Sequence, residues 1–157
     1  MRKFGIIAVL ALMALALAAV PALAASPHSV KGPTATDQGT TLLVTGKIAG
    51  LGAGTYFVEV QAQGTATVTC TNPAGNVAPG QDTTVNPSGI SGPYNVSKTG
   101  NLIYSTQTVA PTVDSSACPN SKWTATVTDV EFTSATLLVH LGSPTGTVVL
   151  SEPITIP

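Results

Sequence analysis

Between Thr65 and Thr71 every second residue is threonine, with Ala66, Val68 and Cys70 between. A period of two marks a strand, with successive side chains on opposite faces of a sheet. It puts Cys70 on the inward face beside Ala66 and Val68. Asn72-Pro73 then stops the strand, because proline lacks a ladder N–H and restricts the residue before it. From Cys70 to Gln81 the chain reads as a turn-rich loop. Gly75 and Gly80 can supply positive φ there, and Asn72 and Asn76 can bond neighbouring backbone. The chain holds two cysteines, so Cys118 is the one intramolecular partner open to Cys70. A Cys70–Cys118 disulfide would pin the loop to the start of the next strong strand. Two buried, reduced thiols are the alternative.

The first residues bear on that choice. Arg2 and Lys3 precede an apolar run from Phe4 to Val20, and Ala22-Leu23-Ala24 offers small residues for cleavage. Residues 1–24 are therefore expected to be a secretory signal peptide, and the mature chain to be extracellular with no membrane span of its own. Export with one cysteine pair fits an oxidising compartment. After cleavage four lysines face seven carboxylates, a net charge of about −3. No basic patch exists, so nucleic acid is not an expected partner.

Residues 25–39 are polar and broken by proline and glycine, and read as a flexible lead-in. The domain is expected over 40–157. Thr40–Ile48 alternates Leu42, Val44 and Ile48 against Thr41, Thr45 and Lys47. Thr55–Gln61 alternates Tyr56, Val58 and Val60 against Phe57, Glu59 and Gln61. Gly64 interrupts as a bulge or corner before Thr65–Cys70. Asp82–Val85 is a short strand. Tyr94–Ser97 and Leu102–Thr108 flank Lys98-Thr99-Gly100-Asn101 and read as a hairpin. Lys122–Phe132 places Trp123, Ala125 and Val127 on one face, with the pattern slipping at Asp129. Ala135–Leu141, Thr147–Leu150 and an edge segment Ile154–Ile156 follow, Pro153 confining the last to an edge. No stretch after Val20 has helical periodicity. Many short strands with regular turn signals predict an all-β antiparallel sandwich, immunoglobulin-like in general plan. A closed barrel is the alternative.

Two resemblances rest on named residues. Gly50-Leu51-Gly52-Ala53-Gly54-Thr55-Tyr56, then Val68-Thr69-Cys70-Thr71-Asn72-Pro73-Ala74-Gly75-Asn76 and Pro79-Gly80-Gln81, resembles a family of small exported microbial proteins of unassigned function. Their pattern is a strand ending in Cys, then Asn-Pro-x-Gly-Asn and Pro-Gly-Gln, and Cys118-Pro119 fits its second half-cystine. The resemblance implies a fold and a compartment, not an activity. A weaker similarity links Gly39-Thr40-Thr41 to Gly46, Gly50-Leu51 and Ala53-Gly54-Thr55 with the enediyne-chromophore carrier apoproteins. Those are secreted β-sandwiches with two disulfides, and this chain has cysteines for one.

Residue chemistry offers few sites. His28 and His140 cannot assemble a local zinc cluster, and no cofactor is expected. Calcium needs several convergent oxygens. Asp82 lies near Gln81 and Asn86, and Asp129 with Glu131 shares one strand face, half of a metal site or an acid–base pair. A solvated face is the plainer reading. A nucleophilic hydroxyl needs a base, and His140, opposite Val139 and Leu141, is expected on the outer face. Gly89-Ile90-Ser91-Gly92 lacks the spacing and following helix of a nucleophile elbow. Sugar stacking could use Tyr56, Tyr94, Tyr104 or Trp123. Trp123 reads as core near the disulfide, and Tyr94, after Gly92-Pro93, as the most exposed. Asn95-Val96-Ser97 matches a glycosylation acceptor, read as coincidental beside a bacterial-looking signal. The chain is thus expected to be a secreted, non-catalytic structural or interaction protein. The alternative is a small-ligand or carbohydrate-binding module with Tyr94, Asn76 and Gln81 at its site. The partner would be an extracellular protein, a glycan or a small ligand.

Overall fold

The computed structural model describes residues 26–157. The expected signal peptide, 1–24, lies outside them. Nine strands follow in order: β1 His28–Asp37, β2 Leu42–Ala49, β3 Gly54–Thr71, β4 Val77–Pro79, β5 Thr83–Val85, β6 Ser88–Val96, β7 Leu102–Gln107, β8 Thr124–Leu141 and β9 Thr147–Ile154. A single 3-10 turn, Ser115–Ala117, is held by the Asp114 carboxylate on the Ser116 N–H.

All ladders are antiparallel and fall into two sheets. One has the order β1-β2-β7. The other has the order β4-β3-β8-β9, with β5 and β6 also pairing with β3. The β3–β8 ladder is the spine of the larger sheet. The sheets face each other across one core. Leu42, Val44, Ile48, Leu102 and Tyr104 from the smaller pack with Tyr56, Val58, Val60, Leu137 and Val139 from the larger. Burying each such aliphatic side chain contributes about 1.5–3 kcal/mol. The sandwich expectation holds, and the two sheets do not join into a closed barrel.

The corner between sheets lies where β6 meets β7. Ser88 O accepts from Val109 N at 2.9 Å, and Ser91 bonds Thr106 through their hydroxyls. A Cβ on Gly89 would run into the Gln107 carbonyl, so the two backbones touch there only because residue 89 is glycine. Here the structure corrects the expected hairpin. The turn after Ser97 forms (Gly100 N to Ser97 O, 3.0 Å), but β6 pairs with β3 and β7 with β2. Alternation tells which face a residue takes, not which strand lies beside it.

Other boundaries also differ. The expected strands 55–61 and 65–70 are one strand, β3, and 122–132 and 135–141 are one strand, β8. A long ladder absorbs an extra residue as a bulge without ending. Register slips between Gln63 and Gly64, leaving Thr133 extra, and between Thr67 and Val68, leaving Thr128 extra. Both extra threonines donate their hydroxyls to β3 carbonyls, Thr133 to Gln63 O at 3.2 Å and Thr128 to Thr67 O at 3.3 Å. The slip expected at Asp129 is the second of these. β9 runs through Pro153, which an edge strand tolerates. The lead-in is not loose: residues 28–37 form β1, paired with β2. Ser29 donates from its N–H and hydroxyl to Glu152 on β9, tying the two sheets at this edge. β1 escapes a sequence reading because it is mostly exposed and is held by backbone pairing.

Candidate interaction face

The outward side of β3 presents Thr65, Thr67, Thr69 and Thr71, while Ala66, Val68 and Cys70 are buried beneath. β8 lies alongside. Its outward Thr124, Thr126 and Thr128 are all exposed, and Ala125 and Val127 turn inward against the cores. Across the ladder Thr71 faces Thr124 and Thr69 faces Thr126. Past the Thr128 bulge, Thr67 faces Asp129 and Thr65 faces Glu131. The result is two adjacent rows of threonine with a carboxylate pair at one end and no lysine or arginine within the rows. On the other side of β3, Val77 and Pro79 of β4 pair opposite Thr71 and Thr69, and Val77 is 64% exposed.

This end of the sheet is pinned from below. Cys70 and Cys118 form the expected disulfide, with 48 residues of separation. Cys70 is fully buried with Val68 and Ala117, and Trp123 packs on that cluster, as its core reading requires. The stretch read as a loop, Cys70–Gln81, contains the short strand β4, and of its two glycines Gly75 takes positive φ and Gly80 does not. Asn72 Oδ1 accepts from Ala74 N at 3.0 Å and Asn76 N at 2.8 Å, and β4 then returns along β3. Gly80 N donates to Val68 O and Gln81 N to Ala117 O, each at 2.8 Å. A Cβ on Gly80 would sit 2.9 Å from Cys70 Sγ, so glycine lets the return strand close over the disulfide.

The sequence candidates do not converge. Asn76 and Gln81 are exposed beside the disulfide end of β3. Tyr94 pairs with Tyr56 near the opposite end, and is half-buried against the core with its hydroxyl donating to Ser91 Oγ at 3.0 Å. It is not the exposed platform expected. Asp129 and Glu131 do share the outward face, both exposed. Among the described residues no three His, Cys, Asp or Glu side chains cluster as a metal site. Tyr104 is 2% exposed, and its hydroxyl is the one buried side-chain polar atom without a partner among the described residues.

His140 does lie on the outer face, but buried rather than exposed, because the β8–β9 turn folds over it. Its Nδ1 lies 3.2 Å from Gly146 O and its Nε2 2.8 Å from Glu59 Oε2. Gln61 Nε2 donates to the other Glu59 oxygen at 2.8 Å. Both ring nitrogens are therefore engaged, by a backbone carbonyl and a carboxylate. Beside this pair a polar groove of about 420 Å³ is lined by Glu59, Gln61, Asn86, Ser88, Ser134 and Thr136, among others.

The threonine face carries a signal that sequence reading missed. Thr-Ala-Thr-Val-Thr occurs twice, at 65–69 and 124–128. The repeat announces two strands of like outward face, though only the ladder shows that they are neighbours. In comparisons with known proteins, no family model, no curated protein and no solved structure matches the chain.

Proposed function

We propose that the protein is exported and acts outside the cell as a non-catalytic interaction protein, with the threonine face of the larger sheet as its contact surface. The observation that carries this reading is the pair of aligned threonine rows on β3 and β8, outward-facing and set over a disulfide-pinned core. Threonine is stiff at χ1, so such a surface loses little side-chain freedom on contact. The disulfide supports an oxidising compartment, as does the resemblance to small exported proteins. The engaged ring nitrogens of His140 support a structural role for the one buried histidine. A second reading, a glycan or small polar ligand in the groove beside Glu59, is favoured by that groove's amide, hydroxyl and carboxylate walls.

Fractionation of the source culture tests the proposal. The expected protein is found outside the cytoplasmic membrane, oxidised and beginning at Ala25, and associates with an insoluble extracellular or envelope fraction. Thr69→Lys with Thr126→Lys should release it, and Asn86→Ala, in the groove, should not. A cytoplasmic, full-length chain overturns export. Release by the groove variant alone overturns the choice of face.

A further inference from the structure

The geometry points to an ordered water surface, the face of an ice crystal, as the ligand of the threonine rows. This inference rests on the reading of that face as the contact surface. It begins from the repeat of the array. Alternate residues on a strand recur at about 6.7 Å and neighbouring strands lie about 4.8 Å apart. Thr69, Thr71, Thr124 and Thr126 thus mark the corners of a near-rectangular cell, and Thr65 and Thr67 extend one side of it. A lattice of identical groups complements a surface that itself repeats in two dimensions. An irregular protein partner would instead be met by varied side chains with aromatic anchors, and no aromatic stands in these rows.

The chemistry of each position agrees. Every threonine offers a hydroxyl that both donates and accepts, as a lattice water does, and a methyl group that fills the gap beside it. Because χ1 is restricted, these groups are fixed before contact. The four-threonine cell bears no charge, which suits a neutral water lattice, while Thr67 and Thr65 face the Asp129 and Glu131 carboxylates. Asp129 and Glu131 stand only where the Thr128 bulge ends the regular spacing. The opposite side of β3 in this stretch is small and buried, Ala66, Val68 and Cys70, so the rows are backed by packed core and the disulfide rather than by a mobile loop.

The array is small: one complete four-threonine cell, about 7 Å by 5 Å, with Thr67 and Thr65 carrying the β3 row alone to about 20 Å. A face of that size should shape and slow growing ice more than it depresses the freezing point. The purified, oxidised protein is tested by observing single ice crystals as they grow and by measuring its partition between growing ice and liquid. The expected result is faceted crystals and enrichment in the ice. Thr69→Tyr and Thr126→Tyr, singly and together, should abolish both, with circular dichroism and urea midpoint unchanged. Ile103→Tyr, an exposed position on the smaller sheet, should keep both. Round crystals and exclusion of the folded wild-type protein from ice overturn the assignment, as does full ice activity in the folded double variant. Co-sedimentation with crystalline cellulose or chitin, run in parallel, separates the two levels. Threonine-dependent binding there without any effect on ice overturns the water-lattice assignment and leaves the contact face standing. Loss of ice activity in the tyrosine variants alone supports both.

Discussion

Tyr104 shows how much one residue's setting decides. Its ring lies over Gly46 on the neighbouring strand, where a Cβ would stand 2.5 Å from the tyrosine hydroxyl. That hydroxyl is buried and unpartnered among the described residues. Burial, and then the Glu152 carboxylate, push its pKa up from 10.0 to about 12. The folded chain therefore holds this proton more tightly than the unfolded chain does. The stabilisation is complete below the unfolded value near pH 10 and is lost as pH rises toward 12, by an amount on the order of 2 kcal/mol. Tyr104→Phe removes an oxygen that was desolvated without compensation. At neutral pH it should leave stability unchanged or raise it by about 1 kcal/mol. In urea titrations between about pH 9 and 12 the variant should lose less stability than wild type. A variant clearly less stable at neutral pH would show that the hydroxyl has a partner in solution.

At the scale of the element, β3 repays the closest reading. Its inward set, from Tyr56 to Cys70, was legible because a half-exposed strand must alternate. What alternation left open was continuity. Gly64 reads as an interruption, yet β8 packs directly against it. A Cβ there would stand 2.5 Å from Glu131 O and 2.8 Å from Val130 Cγ1. Gly64→Ala should therefore destabilise the protein by about 1–3 kcal/mol through forced strand separation. Thr65→Ala, one residue away on the open face, should stay within about 0.5 kcal/mol. Denaturation midpoints of the pair check the contrast, and equal effects would mean that β3 and β8 are not so close. The lead-in failed for the opposite reason. β1 buries little apolar surface, so no pattern marks it, and its order comes from pairing with β2 and from Ser29 on Glu152. His140 was placed on the correct face by parity, but parity says nothing about a turn folding back over it.

For the whole molecule, the Cys70–Cys118 bridge closes a loop of 48 residues that spans β4 to β7. The chain-entropy account assigns such a closure roughly 4 kcal/mol. Replacing both cysteines by serine should lower the unfolding free energy by about that amount, read as a shift of the urea midpoint with little change in slope. A shift well below about 2 kcal/mol would mean that the unfolded chain already keeps these ends together. No helix among the described residues is long and apolar enough to cross a membrane. From residue order alone came the strand class, the inward faces of β2, β3 and β8, and the cysteine pair, because each follows from local spacing and count. Tertiary structure alone decided that β6 and β7 part into different sheets, that β1 closes an edge, and that two Thr-Ala-Thr-Val-Thr segments lie side by side. These depend on which strands pair across long stretches of chain, and the free energy of that choice comes from burying both sheets at once.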